Sequence, residues 1–360
     1  MQKLKYALVG CGRVSPNHKN AYLANSDALE LVGICDLDYD KAKALFCDIQ
    51  AEIYTDYKKM ISEQKPQVVA VATDSGSHFE VAMYAILNGC HVIVEKPITL
   101  SVKEALELNE TAKKQGVIIV MCHQNRFNKP IQLMRKALEE GRFGKLLHGT
   151  IQVRWHRDKN YYSQADWRGT WDKDGGTLMN QCIHGIDLLR WMMGDEIDEI
   201  FAFTDRLNHD YIEAEDLGLA LIRFKNGAYG VVEGTVNCYE RDMEETLCVF
   251  GEKGMAKVGG RSVNLLQDWC FADKNEDTDS LKTQVDESPE NVYGNGHKAV
   301  YRDAVSAIIN GTQPYIDGMA GLRALETVLA IYRSAATGKP VKLPLDSCDC
   351  SEFKGRFDNK

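Results

Sequence analysis

The chain has 360 residues, of which 44% are hydrophobic and 26% are charged. This length and composition are typical of a globular protein with two domains. The formal net charge is -9, and the sequence contains no long basic run. These features argue against nucleic-acid binding, because neutralising phosphates requires clustered Lys and Arg.

The apolar runs are far shorter than the roughly 20 residues that span a bilayer. The charged N-terminus leads into a strand-like run, which argues against a signal peptide. Eleven cysteines are scattered along the chain. Their odd number favours a reduced, cytoplasmic protein. Only Cys348 and Cys350 form a close pair, and no CxxC motif is present. We therefore expect no metal site and no membrane partner.

The first 120 residues alternate short apolar runs with amphipathic, helix-like segments. The runs occupy residues 5–10, 29–36, 68–73, 91–97 and 117–122. Continuous β-branched runs are typical of strands that are buried on both faces of a parallel sheet. The first domain, predicted over residues 1–123, is therefore an α/β domain with helices on both sides of its sheet.

The pattern changes after residue 125. A helix ends near Gly141 and a strand covers 146–156. An aromatic-rich loop follows, and the next helix covers 174–191. Strand-like runs then follow one another from 197 to 267, with an Asn-Gly hairpin turn at 226–227. This order predicts a second, α+β domain over 124–345 with a mostly antiparallel sheet. We further expect a long loop at 272–296, helices at 297–310 and 318–337, and a loose tail at 346–360.

The stretch GCGRVS follows the first strand-like run. Gly10 permits a tight turn and Gly12 a close approach of a pyrophosphate, which the next helix meets with its N-terminal amides. Asp36 ends the second run, where an acid accepts hydrogen bonds from the ribose hydroxyls and repels the extra phosphate of NADP. The alternative is an ordinary turn with a surface aspartate. The predicted NAD-binding residues of this part are Gly10, Gly12, Arg13, Val14 and Asp36.

Two further stretches lie at strand ends, where open α/β sheets bind ligands. Thr73 and His78 belong to TDSGSH, and we expect both to contact the cofactor, the alternative being a helix cap with a solvated histidine. Glu95 and Lys96 belong to VIVEKPITL. A lysine near the cofactor could polarise a substrate oxygen, whereas a solvated lysine at a strand end is equally compatible with this tripeptide.

The apolar helix at 174–191 carries a polar stripe, which consists of Asn180, His184 and Asp187 at i, i+4 and i+7 on one helical face. Buried polar groups reduce stability unless they are paired. The stripe therefore either has internal partners or faces a cleft.

Together, the G-x-G turn, the EKP tripeptide and the GG…N-xxx-H-xx-D helix resemble the glucose-fructose oxidoreductase/inositol dehydrogenase/MocA family. The resemblance covers essentially the whole chain, including the closing YRSAATGKPVKLP. It implies a Rossmann domain, a C-terminal domain with an open sheet, and nicotinamide-dependent oxidation of sugars or cyclitols. It also implies homo-oligomers, as dimers or tetramers built through that sheet.

The resemblance assigns catalytic roles to Lys96 and His184, with His184 as the base, which suits the near-neutral pKa of an ordinary histidine. The family usually has Asp where this chain has Asn180. An amide cannot take a proton but can orient a hydroxyl, so we count Asn180 among the catalytic and substrate-binding candidates. For Asp187 we favour a structural, orienting role.

The run 161–191 resembles the branch of the family that oxidises the 3-hydroxyl of UDP-N-acetylglucosaminuronate during bacterial surface-polysaccharide synthesis. The resemblance adds Glu95, Lys96, Asn125, Trp167 and Arg168 to the cofactor-binding candidates. Plain packing or domain-linking hydrogen bonds are the alternatives for the last three. The substrate-binding candidates are Lys96, Arg126, Arg154, His156, Asn180, His184, His297 and Tyr301.

Several functions remain open at this point. Inositol or aldose oxidation is the main alternative within the same class of enzyme. A glycosidase that keeps NAD tightly bound would differ by consuming no external NAD. A non-catalytic sugar-binding or nucleotide-binding regulator would bind a ligand without reducing the cofactor.

Overall fold

The computed structural model describes residues 3–49, 51–273, 276–288 and 294–358. Its contacts divide the chain into an N-terminal unit, Met1–Gln124 with Asn295–Leu322, and a C-terminal unit, Asn125–Gly294 with Arg323–Lys360. The segment from 295 to 322 therefore groups with the first part of the chain. The sequence-based division into 1–123 and 124–345 uses consecutive ranges and so places this segment in the second domain. The C-terminal tail groups with the second unit.

The N-terminal unit contains a parallel sheet of six strands in the order β3-β2-β1-β4-β5-β6. The strands are β1 (Leu4–Val9), β2 (Leu29–Cys35), β3 (Glu52–Tyr54), β4 (Val68–Val71), β5 (His91–Val94) and β6 (Ile119–Met121). The helices between them are α1 (Ser15–Leu23), α2 (Tyr39–Leu45), α3 (Tyr57–Gln64), α4 (His78–Leu87) and α5 (Val102–Gln115). This is the Rossmann order, in which ligands bind beyond the carboxyl ends of the strands where the order reverses, here β1 and β4.

The C-terminal unit contains a sheet of eight strands in the order β13-β12-β11-β7-β10-β9-β8-β14. The strands are β7 (Leu146–Arg154), β8 (Ile197–Asp205), β9 (Leu217–Phe224), β10 (Tyr229–Thr235), β11 (Glu244–Gly251), β12 (Gly254–Gly259), β13 (Leu265–Phe271) and β14 (Val341–Lys342). The described pairs are antiparallel except for β7 with β10. The mostly antiparallel sheet predicted from the run of consecutive strands is therefore confirmed.

The remaining helices are α6 (Lys129–Glu139), α7 (Lys159–Tyr162), α8 (Ile183–Met193), α9 (Thr278–Val285), α10 (Gly296–Asn310) and α11 (Gly318–Thr337). Helix α8 packs on β7, β10 and β11, and α10 packs on α1. The described helices include none that combines the length and apolar character needed to cross a membrane.

Two expectations about irregular segments were wrong. The predicted loop at 272–296 contains α9, which begins at the capping side chain of Asp277; residues 274–275 and 289–293 of this stretch lie outside the described part. The predicted loose tail instead packs through buried Phe353 and Phe357, and Phe357 stacks on Trp171. Few apolar residues are present in either stretch, so composition alone concealed their structure.

Candidate active site

The G-x-G turn has the geometry that a dinucleotide requires. Gly10 has a φ of +100°, and a Cβ at this position would collide with the carbonyl of Ala72, just beyond β4. At Gly12, no atom of the described residues lies within 4 Å of the place a Cβ would take. Open space at the second glycine, directly before the N-terminus of α1, fits the pyrophosphate of a dinucleotide.

Asp36 follows β2, next to this turn. Its carboxylate accepts hydrogen bonds from the main-chain N–H of Cys11 at 2.7 Å and of Asp38 at 2.8 Å. Each carboxylate oxygen has a further lone pair, so the two bonds orient the group and leave it able to accept from ribose hydroxyls. Arg13 is exposed, and Val14 is half-buried at the position that precedes α1.

Lys96 lies just beyond β5 and is half-buried, between buried Glu95 and Pro97. His78 is also buried, with its Nδ1 2.6 Å from the carbonyl oxygen of Pro97, so the solvated histidine considered above is not observed. Thr73 is half-buried and its hydroxyl donates to the carbonyl of Asp74 at 3.2 Å. The structure thus brings the TDSGSH and EKP stretches into contact through His78.

The helix predicted at 174–191 is not a regular α-helix. Residues Leu178–Cys182 form a π-helix, and α8 begins only at Ile183. The segment that carries Asn180 is therefore wound more widely than the α-helix that the sequence predicted, and the shared face of Asn180, His184 and Asp187 stays a prediction. Short π-helical segments occur frequently at functional sites.

Glu215 and Tyr332 hold the start of this π-helix. A Glu215 carboxylate oxygen accepts from the main-chain N–H of Leu178 and from the Tyr332 hydroxyl, each at 2.7 Å. Burial raises the pKa of Glu215 to about 8, although these hydrogen bonds lower it. Gly176 is required beside it, because its φ is +96° and a Cβ would collide with the Glu215 carboxylate.

Asn180 and Asp187 form hydrogen bonds within the C-terminal unit. The Asn180 amide nitrogen donates to Asp174, and its oxygen accepts from Gln181 at 3.2 Å. Asp187 receives two hydrogen bonds from Arg126, at 2.7 and 2.6 Å. His184 is 8% exposed in the first turn of α8. Asn180 and Asp187, on either side of His184 in sequence, thus belong to internally paired networks.

The predicted roles of Asn125 and Arg126 stay predictions, but both side chains have structural contacts. The Arg126 guanidinium pairs with Asp187 and lies 4.8 Å from the centre of the Trp191 ring. The Asn125 amide donates to Glu245 at 3.5 Å. Burial raises the pKa of Glu245 to about 8, so this acid is largely protonated at neutral pH.

The predicted anion-binding residues near 154 are also engaged. Arg154 forms ion pairs with Glu233 on β10 and Glu244 on β11, at 2.6 and 2.7 Å. The predicted strand 146–156 ends at Arg154, and His156 forms an isolated bridge with Asn237. The His156 ring bonds the carbonyl of Cys238 at 2.6 Å. These contacts stabilise the sheet, and substrate contact for either residue stays a prediction.

Trp167 and Arg168 form an aromatic and cationic surface with Tyr161. The Arg168 guanidinium lies 4.7 Å from the Trp167 ring centre and 4.4 Å from that of Tyr161. One of its terminal nitrogens donates to the Tyr161 hydroxyl at 2.5 Å. Stacking of this kind orients a guanidinium while leaving N–H groups for phosphate or carboxylate.

His297 and Tyr301 lie on α10, in the interior of the N-terminal unit. His297 contacts Glu95, and Tyr301 contacts Tyr6 and His18. Substrate binding by these two residues stays a prediction.

The sequence reasoning did not single out His18, Asp174 or Glu245, each of which contacts a predicted site residue. A usable signal existed for Asp174, since it directly precedes the Gly175–Gly176 pair. His18 and Glu245 lie in an ordinary helix and strand, and their relevance depends on partners far away in sequence.

The sequence matches family models in both units. Residues 4–123 match the oxidoreductase family with an NAD-binding Rossmann fold, and residues 131–257 match the GFO/IDH/MocA C-terminal domain. The chain therefore belongs to the Gfo/Idh/MocA family, and it is an NAD-dependent sugar oxidoreductase. The resemblance noted from its motifs and the predicted Rossmann domain are confirmed.

Individual relatives refine this picture. The WlbA dehydrogenase from Bordetella pertussis, solved in complex with NADH and UDP-GlcNAcA, is 36% identical over 96% of this chain and 99% of its own, with a TM-score of 0.90. The WlbA enzyme from Chromobacterium violaceum, solved with the same ligands, is 34% identical over 96% and 97%, with a TM-score of 0.89. Myo-inositol 2-dehydrogenase from Thermotoga maritima is 26% identical over 94% of this chain and 98% of its own.

Proposed function

We propose that the enzyme oxidises the 3-hydroxyl of UDP-N-acetylglucosaminuronate with NAD. The observation that carries this proposal is the likeness to two WlbA dehydrogenases solved with that sugar nucleotide, over nearly the whole of each chain. The run 161–191, with Asn180 in place of the family's usual Asp, supports the same branch. The enzyme would then act in the cytoplasm, in the synthesis of a bacterial surface polysaccharide.

The chain's own residues would divide the proton chemistry. His184 would accept the proton of the reacting hydroxyl, and Lys96 would donate a hydrogen bond to its oxygen and stabilise the developing negative charge. NAD, bound at the Gly10–Gly12 turn, would supply the hydride acceptor. The Asn180 oxygen, fixed by Asp174 and Gln181, would accept from a sugar hydroxyl and orient it.

The remaining site predictions follow from the same proposal. Trp167 and Arg168 would contact the cofactor, since the stacked guanidinium is a preorganised hydrogen-bond donor for anionic groups. Arg126, Arg154 and His156 would contribute to substrate binding in addition to their present contacts with Asp187, Glu233 and the Cys238 carbonyl.

Homo-oligomerisation through the C-terminal sheet is part of the proposal. Neighbouring strands β8, β9 and β10 expose large apolar side chains, which are 39 to 67% accessible. These residues are Phe203, Leu219, Leu221, Tyr229 and Val231. A contiguous apolar surface of this kind typically marks a protein interface. Light scattering on the purified protein would give the mass of the assembly.

A single-turnover absorbance experiment tests the substrate. Enzyme with stoichiometric NAD is mixed separately with UDP-N-acetylglucosaminuronate, UDP-N-acetylglucosamine and myo-inositol, and NADH formation is followed. We expect reduction with the uronate and little with UDP-N-acetylglucosamine, which differs only in having a hydroxymethyl group in place of the carboxylate.

The other outcomes distinguish the alternatives. NADH formation with inositol alone would favour the activity named for the Thermotoga relative. Hydrolysis of a glycoside without net consumption of NAD would favour a glycosidase that keeps its cofactor. Reduction by neither nucleotide sugar would refute the proposed substrate.

A further inference from the structure

Four chemically reactive side chains cluster in the interior of the N-terminal unit, beside the EKP turn. They are His18, Glu95, Cys122 and His297, whose nitrogen, oxygen and sulfur atoms lie within 4.8 Å of one another. All four are buried, and Glu95 is only 5% exposed. Burial of a carboxylate is costly unless it is fully hydrogen-bonded, so the cluster requires an explanation.

The hydrogen bonds of the cluster converge on the Glu95 carboxylate. Nε2 of His18 and Nε2 of His297 both point at the same Glu95 oxygen, at 3.2 and 2.9 Å. Although burial opposes ionisation, these two hydrogen bonds hold the pKa of Glu95 well below its usual value. Burial lowers the pKa of His18. A neutral His18 that donates from Nε2 must accept at Nδ1, where the Tyr301 hydroxyl lies 2.6 Å away.

The second Glu95 oxygen turns back to the main chain. It accepts from the N–H of Lys96 at 3.3 Å. On the other side of Lys96, Nδ1 of His78 lies 2.6 Å from the carbonyl oxygen of Pro97. The backbone around Lys96 is thus bonded on one side to a carboxylate that two buried histidines hold, and on the other side directly to a third buried histidine.

We infer that these buried histidines are positioning residues for Lys96. His18 and His297 fix the Glu95 carboxylate, which binds the Lys96 amide, and His78 fixes the following carbonyl. The inference rests on the proposed catalytic role of Lys96, and it gives His297 a different role from the substrate contact predicted for it. An error of about 1 Å in the position of a catalytic group can lower turnover about 100-fold.

His297 allows a matched pair of variants. Its Nδ1 has no hydrogen-bond partner among the described residues, so the contact used is the Nε2 donor to Glu95. In His297→Gln the amide nitrogen can occupy the place of Nε2 and keep this donor, whereas His297→Leu removes it. Glu95→Gln tests the same network from the acceptor side if His297→Leu folds poorly.

Two measurements on the full-length enzyme test the inference. The first is steady-state kinetics with whichever sugar of the panel reduces NAD. We expect kcat to fall about 10- to 100-fold in His297→Leu and to recover to within about threefold in His297→Gln. KM for the sugar should change little, whereas a substrate-contacting His297 would raise KM in the leucine variant.

The second measurement is amide hydrogen exchange of the 95–98 segment in the protein without added substrate. We expect faster exchange at Lys96 in His297→Leu and Glu95→Gln, and exchange like wild type in His297→Gln. Equal kcat per folded enzyme in the two His297 variants, with unchanged exchange, would overturn the inference while leaving the proposed substrate intact. Stoichiometric zinc in the wild type, lost in His297→Leu, would also overturn it, because the cluster would then be a metal site.

Discussion

Removing one member of the Arg126–Asp187 pair should strongly destabilise the C-terminal unit. The two side chains are 6% and 3% exposed and share two hydrogen bonds of 2.7 and 2.6 Å. Loss of one partner leaves the other charge buried and uncompensated, which costs about 3 to 5 kcal/mol. For a unit of this size, we expect the Tm of Arg126→Met or Asp187→Leu to fall by about 6 to 20 °C.

The double variant Arg126→Met/Asp187→Leu should be more stable than either single variant. It removes both charges together and keeps an apolar side chain against Trp191, so no desolvated ion remains. Thermal and urea unfolding of the four proteins, followed by circular dichroism, complete a double-mutant cycle. Additive losses, with the double variant least stable of all, would refute the view that the pair acts as a coupled unit.

The same proteins separate the structural role of Arg126 from the predicted substrate role. If Arg126 only holds α8 through Asp187, the double variant should regain activity together with stability. A KM for the sugar that stays raised in a stable double variant would instead show that the guanidinium contacts the substrate.

Three further predictions concern other parts of the molecule. Lys96→Met should raise the activation free energy by about 2 to 5 kcal/mol, which lowers kcat about 30- to 5,000-fold in NADH-formation assays, and preserved turnover would contradict its role. Asp36→Ser should lower kcat/KM for NAD about tenfold or more relative to NADP, because a charged acceptor is lost; an unchanged cofactor ratio would contradict this. The raised pKa of Glu215, about 8, means that its protonated form stabilises the fold below its ordinary pKa and that this stability is lost as the pH rises towards 8 and beyond. The Tm of Glu215→Gln relative to wild type should therefore increase from pH 5 to pH 8.5, and a pH-independent difference would contradict it.

The sequence predicted the parallel sheet and the position of the Gly10 turn because both depend on local patterns. Continuous apolar runs and a glycine-rich turn are visible without knowledge of distant contacts. The π-helix at 178–182 could not be predicted in this way. It is held by Glu215 and Tyr332, which lie far from it in sequence.

Predicted contact residues were ambiguous for a related reason. Arg154 and His297 have the side chains that an anionic sugar needs, and residue type alone cannot show that a partner already binds them. The structure assigns Arg154 to Glu233 and His297 to Glu95. Polar side chains at a predicted site thus include both groups that meet the substrate and groups that hold those in place.

Three buried acids of this enzyme each fix a main-chain amide or a helix near a proposed catalytic residue. Glu95 binds the Lys96 amide, Glu215 binds the first amide of the π-helix that carries Asn180, and Asp187 fixes α8 through Arg126. Each takes an anionic or polar group out of water, which lowers stability unless every bond is made. Such networks therefore permit few alternative geometries, and each is adjacent in sequence or structure to a proposed catalytic side chain. We expect substitutions in them to lower turnover more than substrate affinity, because they act on the placement of reacting groups and leave the binding surface itself unchanged.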